Sequence, residues 1–207
     1  LVTNDLGRLN DCFHWDPLLL LEISLGSEIN ASLHQPMVQH SRSTTSEEFP
    51  HMQFTVFGAG LMGRYIVNDL TTHLDAQVTW IDRSKAALEA GRASLTNAAK
   101  TQLVEASITP ESDFTPHIQP GSVVIGASSY EHHYQLTQAA FKQRAHWLDL
   151  GGNNTVVAKQ RALDEQAKQN GLVAIPDCGL APGMVSILGW ELHQRFEHAD
   201  TIALRVG

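Results

Sequence analysis

The sequence is poor in cysteine, in positive charge and in long apolar runs, and each shortage removes a class of protein. Its 207 residues hold two cysteines, Cys12 and Cys178. They stand in unlike contexts, so no disulfide framework is expected and a reducing, cytoplasmic setting is favoured. Lys and Arg number 14 against 22 Asp and Glu, a formal charge of -8. No basic footprint is offered to nucleic acid or to an anionic membrane surface, and neither is expected as a partner. The longest apolar run near the N-terminus lies in "LLLLEISLG", far short of the ~20 residues that span a bilayer. Asp5, Asp11 and Asp16 precede it, where a signal peptide would carry bases. Eleven histidines are present, yet no HxxxH or CxxC spacing marks a metal site. No internal repeat of fixed period is visible.

What remains is the composition of an acidic globular protein, 43% hydrophobic and 17% charged. The length suits one large domain, or one domain with part of another. The chain divides at about residue 50. Residues 1–51 sustain no period of a strand or a helix and end in the linker-like "HSRSTTSEEFP". Met52 then opens "MQFTVFGAG" without preamble. Met52 is therefore expected to be the natural start, with residues 1–51 an upstream extension or mis-set reading frame, disordered or non-native. The other reading is a genuine short segment that packs loosely on the domain.

From Phe54 onward, short β-branched and apolar runs alternate with helical stretches, the pattern of successive βαβ units on a parallel sheet. Strands are expected at 53–57, 77–81, weakly near 104–108, and at 122–127, 146–150 and 171–175. The helix after the first strand carries Met62, Ile66, Leu70 and Leu74 at helical spacing, which predicts that this face lies on the sheet. A further helix is expected over 156–170, capped by Asn154 or Thr155 and stopped by Gly171. The fold class is α/β, a doubly wound parallel sheet of Rossmann type over residues 52–180. Residues 181–207 read as the start of a second, α/β substrate domain.

"VFGAGLMG" places Gly58, Gly60 and Gly63 in GxGxxG spacing directly after a strand and at the opening of a helix. Gly58 suits a tight turn, Gly60 a close backbone approach to a pyrophosphate, and Gly63 close packing of helix on strand. Leu61 and Met62 lie between them in the same loop and join the cofactor-binding set. The pyrophosphate would rest on the free N–H groups at that helix's positive end. Asp82 follows roughly 20 residues later, at the end of "QVTWID", where a carboxylate accepts hydrogen bonds from the adenosine ribose and repels a 2'-phosphate. NAD is thus the expected cofactor. Arg83 keeps NADP possible, because its guanidinium can pair with that phosphate or stack on adenine. The fourth strand runs into "VVIGASSY"; at the switch point between strands one and four, Gly126, Ala127 and Ser128 are further cofactor contacts.

Two later strand ends narrow the reading. "HWLDLGGN" carries Asp149, Gly151 and Gly152, and "AIPDCGLAPGMVSILG" carries Asp177, Gly179, Pro182 and Gly183. With "VFGAGLMGRYIVNDL", these resemble the saccharopine dehydrogenase family, and within it the lysine 6-dehydrogenase type. The resemblance covers about residues 52–207 in three ordered motifs. It implies a nicotinamide-dependent oxidoreductase that oxidises a CH–NH group through an imine cleaved by water. For the lysine 6-dehydrogenase type this is oxidative deamination of a side-chain amine to an aldehyde able to cyclise. It also implies a small amino-acid or amine substrate, Gly151 among the cofactor contacts, and a second domain that builds the substrate pocket and the contact of a homodimer. Only the beginning of that domain is expected here, a helix near 184–196 and the strand "TIALRVG".

Hydride leaves a carbon bearing nitrogen only when the amine is unprotonated, so a base or proton relay is needed near the nicotinamide. Asp149, Asp177 and Tyr130 are the catalytic candidates. The two aspartates either hold a substrate ammonium, organise water, or satisfy backbone N–H groups of their own loops. His132 and His133 are expected to be solvated at a helix start, and Cys178 to be a buried thiol rather than a nucleophile. Pro182 and Gly183 are expected to open the next helix with its first N–H groups free, as an anion site. The competing function is a dinucleotide-sensing regulatory domain without catalysis, which has no use for "DLGG" or "PDCGLAPGM".

Overall fold

The computed structural model describes residues 52–204 apart from Asp75. The expectations for residues 1–51, and for the last residues of "TIALRVG", fall outside the described residues. The described chain belongs to two units, 52–185 and 186–204.

The first unit is built on six parallel strands: β1 (Gln53–Phe57), β2 (Gln77–Asp82), β3 (Thr101–Glu105), β4 (Val123–Gly126), β5 (His146–Asp149) and β6 (Ala174–Ile175). Their order across the sheet is β3-β2-β1-β4-β5-β6. The crossovers are α1 (Leu61–His73), α2 (Lys85–Arg92), α3 (His133–Lys142), α4 (Asn154–Arg161) and α5 (Asp164–Asn170). The order reverses between β1 and β4, the expected switch point, where the carboxyl ends of neighbouring strands part and leave a crevice.

Each central strand feeds two cores, as a sheet covered on both faces requires. On one face Phe54 and Val56 of β1 meet Val67 and Leu70 of α1, Trp80 and Leu88. On the other, Phe57 meets Phe114, Leu136, Phe141 and Trp147. Phe57 and Phe114 pack edge to face at 5.2 Å between ring centroids.

Several boundaries differ from expectation, each for a local reason. α1 buries Gly63, Val67, Leu70 and Thr71, while Met62 and Leu74 remain 51% and 38% exposed. Gly63 lies so close to the Gly58 carbonyl that any Cβ there would collide with it. That contact fixes the rotation of the helix, and the buried face is counted from Gly63 instead of Met62. β3 begins three residues earlier than the apolar run suggests, because its ladder is set by β2, with Val78 opposite Thr101 and Asp82 opposite Glu105. The helix expected over 156–170 is two helices, α4 and α5. The cap of α4 is Asn153, whose side chain accepts from Thr155 N and Val156 N, and Leu163, between them, packs toward the core. Gly171 ends α5 in the left-handed region at φ 64°, as expected.

The second unit contains most of α6 (Met184–His193) and the segment to Leu204. Residues 201–204 form no strand. Among the described residues this unit contains no strand; Ile202 and Leu204 pack their side chains against Gly189. Among the described residues no helix is long and apolar enough to cross a membrane.

Candidate cofactor and substrate site

The loop between β1 and α1 is held by its neighbours on both sides. Gly58 N–H donates to Ile81 O at 2.8 Å, and Ala127 N–H donates to Phe57 O at 2.8 Å. Gly58 has φ +106°, and a Cβ there would also meet Ala127 O at 2.6 Å, so this turn admits only glycine. Gly60 is the N-cap of α1 and supplies no side-chain cap. A Cβ on Gly60 would meet nothing within 4 Å. Arg64 N–H is the first to find an intrahelical partner, Gly60 O. The N–H groups of Leu61, Met62 and Gly63 therefore face outward from an open helix terminus, the arrangement that binds a phosphate. Leu61 is 68% exposed.

Asp82 stands at the end of β2, beside this loop. Its Oδ2 accepts Ala59 N–H at 2.7 Å and its Oδ1 accepts Ser84 N–H at 2.8 Å. Each oxygen keeps a lone pair for a ribose hydroxyl. Arg83 is exposed at the same strand end. Across the switch point, Ala127 and Ser128 are half-buried, and the Ser128 hydroxyl is buried without a partner. Gly126 lies deeper, wedged where a Cβ would meet Trp147 Cη2 at 2.8 Å and His133 Cδ2 at 3.1 Å.

The end of β5 is a polar hub. The Asp149 side chain is wholly buried. Its Oδ2 accepts from Trp147 Nε1 at 2.7 Å and Gln160 Nε2 at 2.6 Å. Its Oδ1 accepts from Gly151 N at 2.7 Å and Asp177 N at 3.2 Å. His133 Nδ1 lies 3.5 Å from that same oxygen. Burial alone pushes this carboxyl up, but the hydrogen bonds from His133, Trp147 and Gln160, together with the His133 charge, outweigh it and hold the pKa at about 2. His133 is thus a buried residue, 2% exposed, not the solvated one expected from its place at a helix start. The aromatic side of Trp147 and the carboxylate of Asp149 draw it inward. Its Nε2 also contacts Ser128 O at 3.2 Å, which ties α3 to the loop after β4.

Asp177 follows β6 with φ +62°, in the left-handed region that non-glycine residues seldom occupy. It sits against Gly151, at a distance that leaves no room for a Cβ there. Asp177, Gly152, Asn153, Asn154, Thr155 and Pro182 line a cleft of ≈ 450 Å³ at the carboxyl ends of β5 and β6. Among the described residues the Asp177 carboxylate has no hydrogen-bond or ion-pair partner. Tyr130 is 40% exposed and lies over Gly152, where a Cβ would meet its ring at 3.3 Å. A cleft of similar size, ≈ 460 Å³, runs beside α5 and β6 and includes none of the strand-end glycines.

The stretch after Asp177 differs from expectation in two respects. Cys178 is exposed, not buried; its Sγ turns back to donate to Ile175 O at 3.4 Å. Desolvation of the sulfur, with the charges of Asp149 and Asp177, pushes the thiol pKa up, so the nucleophilic thiolate is disfavoured. The first N–H groups of α6 are not free. Met184 N–H donates to Gly179 O at 2.9 Å and Val185 N–H to Leu180 O at 3.0 Å. The loop folds back to satisfy them, and Gly183 packs against Gly179 too closely for any Cβ. The first two N–H groups of α6 are thereby taken up within the loop, not left free as expected.

Trp80, absent from the sequence reading, also belongs to the site: its Nε1 donates to Gly58 O at 2.8 Å. The legible signal was its place two residues before Asp82, on the same face of a strand. Among the described residues no group of three or more His, Cys, Asp or Glu side chains is placed to hold a metal ion.

A doubly wound sheet, an uncapped helix terminus behind three spaced glycines and an acid at the end of the next strand define a dinucleotide-binding domain. Residues 54–175 match the family described as saccharopine dehydrogenase NADP binding domain, and the chain belongs to that family. Among solved structures, saccharopine dehydrogenase (L-Glu forming) from Saccharomyces cerevisiae shares its fold at a TM-score of 0.58 and 17% identity, over 69% of this chain and 31% of that one. Scyllo-inositol dehydrogenase from Lactobacillus casei, with bound NAD(H) and scyllo-inositol, aligns at a TM-score of 0.48 and 15% identity, over 61% of this chain and 36% of that one. The chain thus spans about a third of the length of these two structures. The residues present fit an NAD(P) cofactor: an open helix terminus for the pyrophosphate, Asp82 for the ribose, and an orphaned Ser128 hydroxyl at the crossing point.

Proposed function

We propose that the chain is the cofactor-binding part of an NAD(P)-dependent dehydrogenase that oxidises a CH–NH group of an amino acid, in the manner of lysine 6-dehydrogenase. The observation that carries the reading is the free Asp177 carboxylate in a polar cleft, two strands beyond the strand end that meets the cofactor loop. β4 and β5 pair with Gly126 opposite Asp149, and Asp149 in turn holds the Asp177 backbone. The cleft therefore adjoins the place where the nicotinamide end of a dinucleotide is expected.

Bound NAD(P) would supply the two-electron acceptor for the hydride that leaves the substrate carbon. Asp82 favours NAD over NADP, because a 2'-phosphate would face a carboxylate already fixed by two backbone N–H groups. Asp177 receives the substrate ammonium and, with the amides of Asn153 and Asn154, orients the carbon that loses hydride. Asp149 serves as a positioning residue: a carboxyl held at about 2 is a poor proton acceptor at neutral pH, and its hydrogen bonds fix the loops that carry Gly151 and Asp177. Tyr130, partly exposed over Gly152, is the remaining proton-transfer candidate of the three. The ammonium first gives up one proton, by way of Tyr130, to solvent; hydride loss from the neutral amine then leaves a C=NH2+ group, which water converts to an aldehyde and an ammonium ion.

The rest of the substrate pocket, and a homodimer contact, are assigned to a second domain of the complete protein. Two cysteines in 207 residues support a cytoplasmic setting.

The test is turnover by the complete protein, with lysine and related amino acids and with both cofactors, following reduction of the nicotinamide and release of ammonia. Amine-dependent reduction supports the reading. Tight NAD(P) binding without turnover of any amine would replace it with the dinucleotide-sensing alternative.

A further inference from the structure

The Gly58 carbonyl and the Ala59 N–H belong to one peptide group, and β2 holds both of its ends. Trp80 Nε1–H donates to the carbonyl at 2.8 Å, and Asp82 Oδ2 accepts the N–H at 2.7 Å. Trp80 and Asp82 are two residues apart and so share a face of the strand. The C=O and N–H of a trans peptide point in opposite directions, which makes this a grip on the plane of the peptide, not on a single atom.

Every group around the grip is committed to it. Trp80 is 0% exposed, so its N–H has no water to turn to. The Gly58 carbonyl is roofed by α1 at Gly63. Helix α2 leaves a gap for the indole: a Cβ at Gly91 would run into the Trp80 ring. Glycine is less favourable than alanine inside a helix, and the chain accepts it where the indole passes.

We infer that Trp80 is a positioning residue for the cofactor: with Asp82 it locks the Gly58–Ala59 peptide so that the N–H groups that follow, at Leu61, Met62 and Gly63, point at the pyrophosphate. Turned over, that peptide would aim its carbonyl oxygen at Asp82 Oδ2, which would repel it, and the loop that carries those N–H groups would lose its hold on β2. The grip also links the two recognition points, because the acid that meets the ribose is the one that holds the phosphate loop. The inference rests on the NAD(P)-binding reading of the site.

The test uses the full chain and ADP-ribose, which binds without redox chemistry, titrated by calorimetry. Two variants remove the donor: Trp80→Phe, and position 80 carrying benzothienylalanine, which keeps the bicyclic shape but has sulfur where the N–H stands. Val78→Ala, on the same strand and in the same core cluster, is the control for general destabilisation. Loss of the N–H orphans a buried carbonyl and frees the loop, so ADP-ribose should bind ~5- to 30-fold more weakly to both variants. Val78→Ala should melt at a lower temperature and bind within about twofold of the parent. If Trp80→Phe does not fold, the isosteric variant decides alone. Unchanged affinity in the benzothienylalanine variant, or an equal loss in Val78→Ala, would overturn the role of Trp80. Absence of ADP-ribose binding by the parent chain would instead overturn the cofactor reading beneath it.

Discussion

Asp149 Oδ1 accepts the backbone N–H of Asp177 at 3.2 Å, so a buried carboxylate at the end of β5 holds the strained turn that follows β6. The same oxygen accepts the N–H of Gly151 at 2.7 Å. One side chain therefore sets the distance between the two loops that frame the candidate substrate cleft.

That arrangement predicts a pH dependence. The Asp149 carboxyl is lowered from 3.8 to about 2 in the folded protein. A carboxyl lowered on folding adds stability that is present above its unfolded value and lost as pH falls through the folded one. The contribution is about 2 kcal/mol above pH ~4, declining toward pH ~2. Asp149→Asn puts an amide N–H against the Trp147 and Gln160 donors and should lower stability by on the order of 3 kcal/mol at pH ~7. Urea unfolding of parent and variant at several pH values checks this. The gap between them should narrow below pH ~4; a constant gap down to pH ~2 would mean that Asp149 carries no depressed pKa.

Asp82 predicts a cofactor preference with a structural cost attached. Asp82→Ser removes the charge that repels a 2'-phosphate and also the acceptor of Ala59 N–H. NAD affinity should fall and the NAD-to-NADP affinity ratio should drop by roughly tenfold or more, about 1.4 kcal/mol of selectivity. Calorimetry with both dinucleotides measures the ratio directly. An unchanged ratio would remove Asp82 from the ribose site.

The glycines of the phosphate loop should separate cleanly by what a methyl group would meet. At Gly60 it meets nothing within 4 Å. Gly60→Ala should therefore leave folding stability within about 0.5 kcal/mol while filling the space the pyrophosphate needs. Gly63→Ala drives a Cβ into the Gly58 carbonyl, so α1 must shift; stability should fall by roughly 1–3 kcal/mol and binding with it. Paired melting and NAD(P) titrations distinguish the two. Equal loss of stability in both variants would show that the space over Gly60 is structural.

Much of this was legible in the sequence because it is local. GxGxxG in a strand-turn-helix setting, the acid at the end of the second strand and the alternation of elements each lie within a short window, and strands β1, β2, β4 and β5 fall within a residue or two of their expected ends. What the sequence hid was set by contacts distant along the chain. The rotation of α1 follows from Gly63 meeting Gly58, not from its apolar spacing. His133 looked like a solvated residue at a helix start, until Asp149 and Ser128 supplied partners for its two ring nitrogens. The closed start of α6 required the loop to fold back on Gly179 and Leu180, which no residue in "PDCGLAPGM" announces.

Asp177 offers the test that bears most directly on substrate. An aspartate at φ +62° accepts a backbone conformation that costs on the order of 1 kcal/mol for most residues but less for Asp and Asn, whose short polar side chains tolerate it. Asp177→Asn keeps that tolerance and nearly the same shape, and removes only the charge. It should fold with unchanged stability, within about 0.5 kcal/mol. Asp177→Val, branched at Cβ, should be destabilised by roughly 1–3 kcal/mol through the backbone alone. If the free carboxylate receives a substrate ammonium, its charged hydrogen bond of about 1.5–3 kcal/mol is lost in Asp177→Asn. In the complete enzyme the KM for the amine should then rise by roughly 10- to 100-fold, with kcat reduced far less and NAD(P) affinity unchanged. Unaltered kinetics in Asp177→Asn would leave the left-handed turn as a feature of the fold and place the ammonium site on another residue.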